Sequence, residues 1–182
     1  MALFDDIPAK ELALLVRLPV RVGFWISQVD ATGGDDAAES ERTAINTMVT
    51  AYAEDYLKSE FVQRLMEKTV AARAEWSHWL DKLDAVPDEC GRAARLLKDR
   101  ISDRDLNTFK HNLLDIGLAV AMAFSEVENV RKTSPFKRLI GILMGGIRTA
   151  TPDERISVIE YRALKQMAAA MGLRSSILDS AA

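Results

Sequence analysis

Carboxylates are the residues of this chain best suited to chemistry. Asp30, Asp35 and Asp36 lie in the polar stretch Asp30-Ala31-Thr32-Gly33-Gly34-Asp35-Asp36, and Glu41 follows shortly after. Two further acids, Glu126 and Glu160, stand in the second half of the chain. Carboxylate oxygens are hard donors, so these side chains brought together would suit Ca²⁺, Mg²⁺ or Mn²⁺. The same residue types also cap helix N-termini and offset the positive end of the helix dipole without any metal. Both readings stand at this level. Asp30 and Glu41 occupy the first and last positions of an EF-hand loop, but Asp35 takes the place of its turn glycine, and Thr32 and Gly34 replace inner ligands. An EF-hand is therefore excluded.

The remaining reactive side chains suggest little catalysis. Cys90, the single cysteine, follows Asp88 and Glu89 rather than basic residues, which does nothing to favour a thiolate. It also rules out an internal disulfide, and no Cys/His spacing resembles a zinc site. His111 has no Cys, Ser or second His at a triad or ligand spacing, so a structural or solvated role is expected. Trp76 and Trp79 flank His78; at this spacing the tryptophans are expected to pack into the core or a partner, with His78 facing outward. Neither a nucleophile nor an open metal position with a poised base is recognisable, so the expectation is a protein that is not an enzyme.

Basic residues offer a binding surface or simply a solvated helix face. They are Arg92, Arg95, Lys98, Arg100 and Arg104, then Arg131, Lys132, Lys137 and Arg138. The apolar stretch Phe136-Lys137-Arg138-Leu139-Ile140-Gly141-Ile142-Leu143-Met144 has basic flanks, as helices that dock on a protein partner or touch a membrane surface do. A net charge of −3 argues against nucleic acid as a partner.

These residues must be positioned by helices. A chain of 182 residues, 48% hydrophobic and 28% charged, fits one domain with one core. Nine Gly and five Pro are too few punctuators for a sheet of short strands. The expectation is an all-α, single-domain helical bundle of about seven helices spanning 1–182. Pro8 suits a first turn, whereas Pro19 should break or bend the helix after Leu18, leaving a second piece over 19–29. Asp36, with Glu39 three residues on, should start a helix to about 56 with Ala44, Ile45, Met48, Tyr52 and Tyr56 on its apolar face. Ser59 should start a long helix to about 83. A basic helix over 87–100 and a helix capped by Ser102 and reaching about 130 follow, the latter containing the apolar, central run 117–124. Ser134-Pro135 should open a short helix to 147, and the capping box Ser157-Val158-Ile159-Glu160 the last helix, over 158–171, before Gly172. The acidic start of the chain lacks the pattern of a signal peptide, and the longest apolar run, 139–147, is about half a bilayer span. No membrane helix and a cytoplasmic location are expected.

Two segments echo one another. Glu41-Arg42-Thr43-Ala44-Ile45-Asn46-Thr47-Met48-Val49-Thr50-Ala51 aligns with Glu160-Tyr161-Arg162-Ala163-Leu164-Lys165-Gln166-Met167-Ala168-Ala169-Ala170, matching Glu, Ala, an aliphatic, Met and Ala. A strongly apolar helix precedes each copy, so a duplicated helical hairpin is expected. In this arrangement, and in Ile156-Ser157-Val158-Ile159-Glu160 above all, the chain resembles the TerB-like family, named for a tellurite-resistance protein. The resemblance covers about 20–51 and 117–173. It implies an α-helical domain and a divalent-metal site built from loop acids and first-turn glutamates, here Asp30, Asp35, Asp36, Glu41 and Glu160. It also implies an accessory role in tellurite or other chemical stress, or in a membrane-linked complex with a protein partner. The sequence departs from the pattern where the family's Asp-Gly pair is stretched to 30–36, where Ser125-Glu126 replaces the second pair, and where 126–155 reads as an insertion. The alternative expectation is a structural adaptor whose helix 134–147 docks on a partner or membrane surface.

Overall fold

In the first helix, Leu14, Leu15, Leu18, Val22, Trp25 and Ile26 recur at intervals of one to four residues, and all are buried. This stripe makes α1, Ala9–Val29, a core element of the computed structural model, which describes residues 3–29, 34–54, 59–129 and 156–174 and, at 34–41 and 123–129, the backbone alone. The other helices are α2 (Gly34–Glu54), α3 (Glu60–Ala71), α4 (Val86–Leu97), α5 (Asp103–Asn129) and α6 (Val158–Ala170). Two 3-10 segments, Arg73–Trp79 and Leu83–Ala85, join α3 to α4. No strand occurs among the described residues, and the fold is an all-α bundle.

Two helices organise the rest. Both α1 and α5 pack on each other and on α2, α3, α4 and α6, while α2 lies on α3 and α4 on α6. The middle of α5 is accordingly buried at Leu113, Leu114, Ile116, Ala119, Val120 and Ala121. By length and composition α1 also passes as a bilayer span, yet its most apolar window is 56% buried inside this bundle, as in a core helix.

Two glycines set the closest helix crossings around this centre. A Cβ on Gly23 would lie 2.5 Å from Ile45 Cγ1 of α2, and one on Gly117 of α5 would lie 3.0 Å from Leu164 Cδ2 of α6. The facing helices bury matching positions: Ala44, Ile45, Met48 and Val49 on α2, and Ala163, Leu164, Met167 and Ala168 on α6.

Local signals mark most helix starts. Ser59 Oγ accepts from Val62 N at 3.1 Å, Ser102 Oγ from Asp105 N at 3.1 Å, and Ser157 Oγ from Glu160 N at 3.2 Å. Pro87 sits in the first turn of α4, where its missing N–H costs nothing. At its C-terminus α6 ends as the sequence suggests, with Gly172 at φ +70 and the Gly172 and Leu173 amides donating to Ala169 O and Ala168 O at 3.0 and 2.9 Å.

Four expectations are corrected. Pro19 does not divide α1, which runs through it. The ring is buried in the core, and Thr69 Oγ1 from α3 donates at 2.7 Å to Val16 O, a carbonyl within the turn that the proline loosens. Tertiary packing thus supports what the isolated segment would not. The helix from Ser59 stops at Ala71 rather than reaching 83, because Trp76 Nε1 donates at 2.9 Å to Thr69 O, which a continuing α-helix would have bonded to Arg73 N, and the chain tightens into 3-10 turns. In α2 the helical backbone begins at Gly34, ahead of Asp36, and α4 closes at Leu97. The expected helix 134–147 lies outside the described residues.

Candidate functional site

Of the expected metal-site acids only Glu160 is placed with its side chain. Asp35, Asp36 and Glu41 belong to the first two turns of α2 by backbone, their side chains lying outside the description, and Asp30 lies outside the described residues. Glu160 is described in full. It is 3% exposed, and its Oε2 accepts from Ser157 N at 3.0 Å while its own amide donates to Ser157 Oγ. This reciprocal pair is a capping box, which satisfies two amides of α6 that have no partner within the helix. Both α2 and α6 pack on α1 and α5. Among the described residues no three His, Cys, Asp or Glu side chains converge in a way that would hold a metal.

The densest polar centre lies elsewhere, between α1, α4 and the segment joining α3 to α4. Arg21, 4% exposed, donates from Nε to Glu89 Oε2 at 2.7 Å. Its Nη1 donates to Trp79 O and, at 2.9 Å, to Asp81 O, and its Nη2 to Lys82 O at 3.2 Å. Arg17 Nη2 reaches the other oxygen of Glu89 at 3.2 Å. The planar guanidinium suits this work, since a buried charge must be both neutralised and hydrogen-bonded along its whole fork. Sequence reasoning passed over Arg21. The signal available was a lone cation inside the apolar run Leu18-Pro19-Val20-Arg21-Val22-Gly23.

A second polar centre links two helix starts. Asp105, in the first turn of α5, accepts from Ser59 Oγ and Ser102 Oγ, each at 2.6 Å, so one carboxylate serves the N-termini of α3 and α5. Electrostatics favour it there, because both dipoles present their positive ends. Further along α5, Tyr52 of α2 donates to Asp115, and Asn112 is fully buried with no hydrogen bond to its side chain among the described residues.

The other candidates fall as their types suggest. Cys90 is fully buried in α4, and desolvation pushes its thiol above the ordinary value, the neighbouring Glu89 adding to the effect. His78 is 74% exposed and lies 3.2 Å from Glu75, while Trp76 and Trp79 pack half-buried against the core. Arg92, Arg95, Lys98 and Arg100 are exposed, and Arg92 lies 3.9 Å from Glu11. An open groove of about 660 Å³ runs between Leu3, Phe4 and the outer face of α3. Phe4, whose ring lies 5.4 Å from that of the buried Phe61, lines it together with Glu60, Lys68 and the Arg64–Glu67 pair, which meet at 2.9 Å.

Compared with known proteins, the chain matches no family model, no curated protein and no solved structure.

Proposed function

We propose that the chain is a non-enzymatic accessory protein of the TerB-like kind, acting by binding, with the acids at the start of α2 holding a divalent cation. The observation that carries this reading is a matched pair of helix contacts. Gly23 of α1 receives Ile45 of α2, Gly117 of α5 receives Leu164 of α6, and the positions around Ile45 and Leu164 are buried in the same register. Such a match is what a duplicated helix pair requires, and it supports the resemblance carried by the two echoed segments. Glu160 belongs to the cap of α6, so the cation falls to Asp30, Asp35, Asp36 and Glu41, whose hard oxygens suit Ca²⁺, Mg²⁺ or Mn²⁺. On this reading the protein serves a chemical-stress response or a membrane-linked complex in the cytoplasm, together with a protein partner.

Calorimetric titration of the chelator-treated protein with each of the three ions, beside the Asp36→Asn/Glu41→Gln double variant, tests it. Saturable binding that the variant loses supports the site. No binding by either protein refutes it and leaves the acids as helix caps.

A second reading is favoured by the first turn of α6, where Val158 and Ile159 are 64% and 51% exposed. On this reading the protein is a structural adaptor that docks through these residues and the stretch 134–147 on a protein or membrane surface. Leu139→Asp or Ile142→Asp then abolishes docking, and Glu41→Gln leaves it intact.

A further inference from the structure

We propose that residues 73–82 form a strap that opens as a unit from the folded bundle, with the Arg21 guanidinium as its latch. The 3-10 segment Arg73–Trp79 contains no buried residue, and the next buried side chain is Leu83. Short 3-10 turns carry poor hydrogen-bond geometry, and a stretch with few buried contacts lies at the low end of local stability. At the far end of the strap Trp79 and Leu80 pack partly buried on the core, and the polar tie is one side chain. Arg21 takes the carbonyls of Trp79, Asp81 and Lys82 together, and Glu89 fixes the guanidinium from the other side. Lys82 sits at φ 50, a left-handed conformation that strains a non-glycine residue, so the closed strap carries local strain that the latch must offset.

The bundle does not depend on the strap for its own closure. The last turn of α3 is completed by Ala72 N donating to Lys68 O at 3.1 Å, and α4 begins on its own first-turn proline. Opening removes three acceptors from Arg21 and leaves two guanidiniums, Arg17 and Arg21, on the single carboxylate of Glu89. It also frees the half-buried indoles of Trp76 and Trp79. The open form therefore presents cationic and aromatic groups that the closed form keeps occupied.

Hydrogen exchange of the full-length protein, read by mass spectrometry at peptide resolution, tests the strap. Amides of 75–82 are expected to exchange at least about 100-fold faster than those of α5, with one shared opening rate that low urea leaves unchanged. Lys cannot reproduce a planar fork of donors, so Arg21→Lys is expected to speed strap exchange by about 10-fold more while α5 changes far less. Strap amides exchanging in step with α5 in the unaltered protein, or an Arg21→Lys effect spread equally over every helix, would overturn the proposal. Should Arg21→Lys fail to fold, Glu89→Gln frees the guanidinium from its counter-charge and is expected to produce the same selective acceleration.

Discussion

Gly23→Ala is expected to destabilise the protein, and to stabilise it once Ile45 has been cut back to Ala. The added methyl would lie 2.5 Å from Ile45 Cγ1, 2.8 Å from Cδ1 and 3.4 Å from Cγ2. Carbon atoms settle at roughly 3.5–4.0 Å, so the α1–α2 crossing must open by about 1 Å or Ile45 must leave its rotamer. Ile45 is 1% exposed and branched at Cβ on a helix, which leaves it little freedom to move. Overpacking of this kind costs about 1–3 kcal/mol, against a gain of about 1 kcal/mol for Ala over Gly inside a helix. A contact of 2.5 Å to an atom beside the branch point of Ile45 puts the cost in the upper half of that range, so the net expectation is a loss of about 1–2 kcal/mol. Ile45→Ala alone costs about 2–5 kcal/mol through lost burial and the cavity it leaves, and it removes every atom that the new methyl would strike. In that background Gly23→Ala keeps its helix-forming gain and fills part of the cavity, a gain of about 1 kcal/mol. Urea unfolding of the four proteins, followed by far-ultraviolet circular dichroism, measures the coupling, which should be about 2–3 kcal/mol. Gly23→Ala acting with the same sign in both backgrounds would refute the reasoning. Gly117→Ala is the internal control. Its one tight contact, Leu164 Cδ2 at 3.0 Å, is the end of a flexible side chain, and Ile26 Cγ1 and Met167 Cε lie at an ordinary 3.4 Å, so its effect should stay within about 1 kcal/mol.

Gly91→Ala should lower the thermal midpoint by about 2–4 °C, because its Cβ would lie 2.8 Å from Ala170 O, a backbone atom in the closing turn of α6; an unchanged midpoint in calorimetry would contradict this contact. Cys90 has its thiol raised by burial from an ordinary value near 9, so the unfolded chain ionises first as pH rises. The stability this residue contributes is complete below about pH 9 and falls above it by about 1.4 kcal/mol per pH unit, a slope that Cys90→Ala should abolish in denaturation measured from pH 8 to 10.5. Ser157→Ala should cost about 1 kcal/mol in chemical unfolding, and Glu160→Gln less, because Gln can still close the capping box; the reverse order would show that the carboxylate does more than cap. Asn112→Leu, which replaces a buried amide lacking hydrogen bonds by an apolar group of similar size, should leave stability unchanged or raise it by about 1 kcal/mol, and a clear loss in the same assay would point to an unrecognised role for that amide.

Helix starts and the all-α class were legible in the amino-acid sequence for a common reason. Ser59, Ser102, Ser157 and Gly172 act on backbone groups within a few residues of themselves, and the apolar spacing of Ala44, Ile45, Met48 and Tyr52 reports one helical face whatever it packs against. The candidate site was legible only as residue types. Glu160 read as ligand or cap, and the structure shows the cap through its hydrogen bond from Ser157 N. The continuity of α1 through Pro19, the end of α3 at Ala71 and the role of Arg21 depended on partners about 50 to 70 positions away or on a side chain folding back, such as Thr69 on Val16 and Glu89 on Arg21. Hydrogen bonds and periodicity within a turn are set by neighbours in the chain. Burial of a charge, tolerance of a proline and the need for a glycine at a crossing are set by whatever the fold brings alongside, and only the tertiary structure holds that information.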